Sequence, residues 1–226
     1  VGDLSNRESM RWSASTPAQC WQLFSQTPLP EIIRRVSLLA EFENCAETEV
    51  DGARRFGWED GGGQFAVWYF LSDGRAMLLT SDHELQLNVF GGPDEYAVQT
   101  SFFDGVPADL VALVTDRPEH DETFNIEGPD GHTIETAGGV FFFDGQRWQI
   151  SPGVLAYLAD GQPVDSTTVD DVLFESGFTT CLESYCFGEE FTVDAIMREY
   201  YPYVLEPDEE RAQRERLAEI LADPLA

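Results

Sequence analysis

The spacing of apolar and polar residues changes period twice along this chain. From Thr16, "TPAQCWQLFSQ" places Cys20, Leu23 and Phe24 on one helical face. Thr16 and Gln19 form a Thr-x-x-Gln capping box, with Pro17 at the first helical position. The next segment, "EIIRRVSLLAEFE", has apolar residues at 32, 33, 36, 39 and 40, which is helical spacing. Its β-branched residues leave a strand as the alternative.

From Glu49 the period shortens. "QFAVWYFL" and "RAMLLT" flank Ser72-Asp73-Gly74, and the Asp-Gly step tolerates the positive φ that a tight hairpin turn requires. These strands are apolar on both faces, which predicts a sheet covered on both sides or a covered central hairpin. "LQLNVF" alternates at period two and is expected to extend the meander. "DGVPADLVALVTD" predicts a short helix starting near Pro107. Two further hairpins follow, "TFNIEGPDGHTIET" turned at Pro129-Asp130-Gly131 and "GGVFFFDGQRWQIS" turned at Asp144-Gly145.

The last third returns to helical signals. "SPGVLAYLAD", "STTVDDVLFES", "TVDAIMREYY" with its Thr cap, and "EPDEERAQRERLAEILA" are the candidates. The last has its acids in the first turns and its arginines later, as the helix dipole favours. These segments predict one α+β domain over 1–226. Helices occupy 10–46, a sheet-rich core with one short helix occupies 47–151, and 152–226 is helical. The core is a central antiparallel meander of about five to seven strands.

Composition adds a strong constraint. Among 226 residues, 42 Asp and Glu face 13 basic residues, for a formal net charge of −29, and every basic residue is arginine. GC-rich codon usage accounts for exchanging lysine for arginine, and salt adaptation or selection for a basic partner accounts for the excess of acids. A chain of this sign repels a phosphate backbone and an anionic membrane, so neither nucleic acid nor membrane is an expected partner. It attracts basic proteins and can speed their association by about 10- to 10³-fold. The start, "VGDLSNRESMRW", has no basic-then-apolar leader pattern, and a cytoplasmic location is expected. Cys20, Cys45, Cys181 and Cys186 are too few and too dispersed for a disulfide scaffold, which predicts buried free thiols.

Candidate chemistry centres on Asp82-His83-Glu84, where "MLLT" gives way to "LQLNVF". On an extended strand Asp82 and Glu84 would share one face and His83 would take the other, so the three converge only if the chain turns there. The other histidines, His120 and His132, lack the spacing of zinc hydrolases, and all three are weak metal candidates. "CLESYC" is not a redox or zinc knuckle, and no Gly-x-Ser-x-Gly elbow is present. "EDGGGQ" lacks the Lys-Ser/Thr of a phosphate loop, and "EGPDGH" lacks the ligands of a calcium loop. No cofactor is expected.

The residues favour an acidic, non-catalytic binding protein. Glu59, Asp60, Asp116, Glu119, Asp121 and Glu122 would steer a basic protein partner, with Trp148 as an aromatic anchor. Tyr200, Tyr201 and Tyr203 also lie beside charged residues. In size, acidity and α+β make-up the chain resembles bacterial immunity proteins, which block nuclease or other toxins. That resemblance is one of character, carried by no family motif, and it implies neutralisation of a basic partner. The alternative is a metal-assisted or general acid/base hydrolase built on Asp82, His83 and Glu84.

Overall fold

The computed structural model describes residues 11–43, 45, 47–92, 94–117, 125–159, 168–200 and 205–222. Helices α1 (Pro17–Gln26) and α2 (Leu29–Glu43) come first, followed by strands β1 (Thr48–Val50), β2 (Ala53–Glu59), β3 (Gln64–Leu71) and β4 (Ala76–Asp82). Helices α3 (Glu95–Ser101) and α4 (Ala108–Val111) lead to strands β5 (Asn125–Glu127), β6 (Thr133–Glu135), β7 (Gly139–Phe143) and β8 (Trp148–Ile150). Helices α5 (Pro152–Ala159), α6 (Val169–Glu175), α7 (Phe178–Cys181), α8 (Val193–Tyr200) and α9 (Pro207–Ala222) complete the order. The chain is α+β, as its periodicities predict. It divides into two compact units, Cys45–Cys181 and a second built from both ends, Val1–Asn44 with Leu182–Ala226.

The unit Cys45–Cys181 is organised by a six-stranded antiparallel sheet in the order β1-β2-β3-β4-β7-β8. The Asp-Gly turns fall where the sequence places them, and Gly74, Gly131 and Gly145 take φ of +86°, +83° and +97°. β3 and β4 pair from Gln64↔Asp82 to Phe70↔Ala76, and β4 pairs with β7 from Thr80↔Gly139 to Ala76↔Phe143. One face presents Phe65, Val67, Tyr69, Met77, Leu79, Val140 and Phe142 to a core completed by Phe102, Leu110, Ile134 and Val154. The opposite face carries Trp68, Leu78 and Phe141, also fully buried. On that side Phe141 packs on Phe178 of α7, their ring centroids 4.9 Å apart.

Two expectations need correction. The hairpin at 125–135 is not part of the meander: β5 and β6 form a separate two-stranded ribbon, so β4 takes β7 as its neighbour. "LQLNVF" is not a strand. The Asp82 carboxylate accepts the Glu84 amide, Asn88 Nδ2 donates to the His83 carbonyl, and Leu85 N and Asn88 N donate to the carbonyls of Asp82 and Leu85. Short polar side chains bonding nearby backbone hold the segment in successive turns rather than a ladder.

The terminal unit contains α1, α2, α8 and α9. The Thr16–Gln19 capping box is formed in full, and α2 is a helix of 15 residues. Its buried Arg35 donates from Nη1 to the carbonyls of Tyr185 and Cys186, at 2.9 and 2.7 Å, and from Nη2 to that of Glu189 at 3.0 Å. Its guanidinium lies over the rings of Phe187 and Phe191. Glu31 accepts from both Arg34 and Arg35, and these bonds hold its carboxyl at about 2 against an ordinary 4.5.

Candidate functional site

Two stretches far apart in sequence meet at one end of the six-stranded sheet. The β2–β3 loop carries Glu59 and Asp60, both exposed. Asp60 organises that loop, its Oδ1 accepting the amides of Gly62 and Gln64 at 2.7 and 3.0 Å. Gln64 lies opposite Asp82 in the β3–β4 register and donates from Nε2 to Asp82 Oδ2 at 2.9 Å. The His83 amide donates to the Gly63 carbonyl, and the His83 ring stands directly over Gly63. A Cβ at Gly63 would fall 2.3 Å from His83 Nδ1, and the residue's φ of +100° also requires glycine.

Asp82 is only 6% exposed. Its three hydrogen-bond donors are neutral: Gln64 Nε2, Thr180 Oγ1 at 3.4 Å and the Glu84 amide at 3.1 Å. β4 ends at Asp82 and the chain turns, so Glu84 and His83 are both exposed while the Asp82 carboxylate faces inward. Among the described residues nothing bonds the His83 ring, and Asp82 does not orient it. The ring and carboxylate therefore do not form the dyad that acid/base chemistry would use. No group of three or more His, Cys, Asp or Glu suited to a metal occurs among the described residues.

Helix α6 brings a further carboxylate and an aromatic ring to this end. Glu175 Oε2 accepts the Gln86 amide at 3.0 Å. Gly177, with φ of +74°, lets the chain after α6 pass against Ser81 and Asp82; an added Cβ would sit 3.1 Å from the Asp82 nitrogen. In α6 Val172 and Leu173 are buried, whereas Phe174 projects outward and is 47% exposed. Phe90, in the loop that follows His83, is likewise 47% exposed.

Most of the described arginines are committed elsewhere. Arg54 pairs with Glu47, Arg75 with Asp73 and Asp109, Arg117 with Asp51, and Arg198 with Glu189 and Glu199. Arg211 pairs with Asp208, and Arg214 with Asp194 and Glu210. Arg55 lies in the core: its Nε donates to Tyr69 Oη at 3.2 Å, and Tyr69 donates to Glu135 at 2.9 Å. Burial, and then the Glu135 charge, push the Tyr69 phenol well above its ordinary value. Among the described residues none of Glu59, Asp60, Asp82, Glu84 and Glu175 pairs with an arginine.

The remaining sequence candidates are dispersed or lie outside the described residues. Asp116 and His132 form an exposed pair with each other, Oδ2 to Nδ1 at 2.9 Å. The Thr133 amide and then His132 lower the Asp116 carboxyl, and Asp116 raises the His132 imidazole. Glu119, His120, Asp121, Glu122, Tyr201 and Tyr203 lie outside the described residues. Trp148 does not provide an exposed anchor: it is 5% exposed and packs against Trp68 and Phe143. Strand β8 turns it onto the same sheet face as Phe143. Tyr200 meets Phe42 edge-on. Cys20, Cys181 and Cys186 are buried free thiols, and Cys45 is half-buried. Burial pushes Cys181 and Cys186 up to about 12, which removes the thiolate that nucleophilic chemistry requires.

The expected residues omit Phe174, Glu175, Gln64 and Thr180. Phe174 had a legible signal: Val169, Val172 and Leu173 make an i, i+3, i+4 stripe, and Phe174 falls outside it. Gln64 and Thr180 had none, because only the strand register and the α6–α7 turn bring them to Asp82. Comparison with protein-family models, with curated proteins and with solved structures finds no match to this chain.

Proposed function

We propose that this protein is a non-catalytic binding protein that engages a basic protein partner, in the manner of an immunity-type inhibitor. The observation that supports this reading is a group of carboxylates at one end of the sheet that pairs with no arginine among the described residues, in a chain most of whose described arginines are held in internal pairs. Glu59, Asp60, Glu84 and Glu175 lie on the segments that meet at a buried carboxylate, Asp82, whose hydrogen bonds among the described residues come from neutral donors. Among the described residues an incoming Arg or Lys finds no internal cation to displace there. The negative field of the whole chain steers such a partner, and the local acids fix where it settles.

The test is affinity capture of the tagged chain at low and high salt, beside the variant Glu59→Gln/Asp60→Asn/Glu84→Gln/Glu175→Gln. A basic protein held by the wild type at low salt, and released both by salt and by the four neutralisations, is the expected result. Capture of no basic protein at any salt, or capture that the four changes leave intact, would overturn the proposal.

A further inference from the structure

We infer that Phe174 and Phe90 make this acidic end a docking surface for a cationic amphipathic segment, one presenting apolar side chains among its arginines or lysines. The inference rests on the binding reading above and specifies the partner's chemistry. Phe174 and Phe90 are two of the four large hydrophobic side chains that stand exposed among the described residues; the others, Val169 and Leu155, lie on α6 and on α5. Both phenylalanines are fixed to the acidic segment. The Phe174 carbonyl accepts the Gly177 amide at 3.0 Å, and Gly177 lies against Asp82. The Phe90 amide donates to Asn88 Oδ1 at 3.2 Å, and Asn88 Nδ2 donates to the His83 carbonyl at 3.0 Å. The rings therefore belong to the two segments that also carry Glu84 and Glu175.

Charge decides the occupant. Asp170 and Asp171 precede Phe174 by four and three residues, one helical turn away, and Glu175 follows it. An apolar ring amid carboxylates rejects an anionic partner and a membrane surface, and a second copy of a chain of net charge −29 meets like charge. A purely polar polycation would satisfy the acids but leave Phe174 in water. A segment with an apolar stripe between basic residues satisfies both, with the ring as anchor and the carboxylates as rim.

The experiment uses the full chain and two fluorescent peptides of identical composition, about 18 residues long so that a helix can form. In one, arginines flank a continuous leucine stripe at helical spacing; in the other the same residues are scrambled. Binding is measured by anisotropy near physiological salt for the wild type, for Phe90→Ser/Phe174→Ser, and for the four-fold neutralised variant, each checked by circular dichroism. The striped peptide is expected to bind the wild type about tenfold or more tighter than the scrambled one, a hot-spot-sized difference. The serine variant should lose that preference and keep the weaker, salt-sensitive binding common to both peptides.

Equal affinity for the two peptides, unchanged by the serine substitutions, would overturn the docking inference and leave the electrostatic reading standing. Absence of binding to either peptide even at low salt would overturn both. Self-association at high salt that the serine variant abolishes would assign the surface to a second copy and overturn the choice of partner.

Discussion

Replacing Arg35 by alanine tests the load that a single side chain carries in the terminal unit. The guanidinium serves three backbone carbonyls between Tyr185 and Glu189, a segment that is neither strand nor continuous helix. On its removal the Cys186 carbonyl keeps the Glu189 amide at 3.3 Å, and Glu31 keeps Arg34. The cost then falls on the carbonyls of Tyr185 and Glu189 and on the faces of Phe187 and Phe191. A buried polar group that loses its partner costs about 1–3 kcal/mol and the half-buried Glu189 carbonyl less, so with the ring contacts the loss is about 2–4 kcal/mol. With a urea slope of about 2 kcal/mol/M, the unfolding midpoint should fall by roughly 1–2 M. Arg35→Lys should recover less than half, because one ammonium cannot reproduce the planar fork that reaches three carbonyls. Hydrogen exchange of amides 183–191 reads the same loss locally. A midpoint shift corresponding to less than about 1 kcal/mol, with unchanged protection of those amides, would refute the reasoning.

Other expectations follow from the same structure. Glu31 is held at about 2 when folded against 4.5 when free, so its contribution is present above pH 4.5 and is lost as pH falls towards 2. Solvent screening at this partly exposed site reduces that contribution to about 1 kcal/mol, and acid titration of Glu31→Gln beside the wild type should show the two curves converging below pH 3. Tyr69→Phe removes the hydroxyl between Arg55 and Glu135 and should destabilise the sheet unit by about 1–3 kcal/mol in urea unfolding; no loss would mean that water replaces the link. In native protein at pH 8, a thiol reagent should modify Cys45 first, with Cys20, Cys181 and Cys186 reacting only on unfolding; fast labelling that survives Cys45→Ser would contradict the burial assigned to the others.

The hairpins were legible because Asp-Gly turns state their backbone requirement locally, and the helices because capping residues stand where their stripes begin. Thr16 with Gln19, Asp73 with Gly74, and Asp144 with Gly145 all act as their spacing predicts. "LQLNVF" misled because alternation is a weak signal beside Asp82 and Asn88, whose side chains compete for the backbone. The sequence marks 125–135 as a hairpin but not as a separate ribbon, since pairing between distant strands is a tertiary choice. The acidic end was half visible. Glu59-Asp60 and Asp82-His83-Glu84 stood out in sequence as separate clusters, and the Gln64↔Asp82 pairing joins them. Trp148 reads as exposed because its sequence neighbours are polar and charged, whereas its register opposite Phe143 turns it onto a covered sheet face.

The most direct test of the binding proposal compares two variants of equal net charge against the captured basic partner. One is Glu59→Gln/Asp60→Asn/Glu84→Gln/Glu175→Gln; the other neutralises Glu206, Glu209, Glu215 and Glu219, exposed acids on or beside α9. If the partner settles at the acidic end of the sheet, the first variant should bind about tenfold weaker or worse, from four contacts of a few tenths to 1 kcal/mol each. The second should stay within about twofold of the wild type, since it removes the same charge while leaving every acid of that end in place. Equal weakening by both variants would contradict the account, because it would reduce the interaction to net charge without a site.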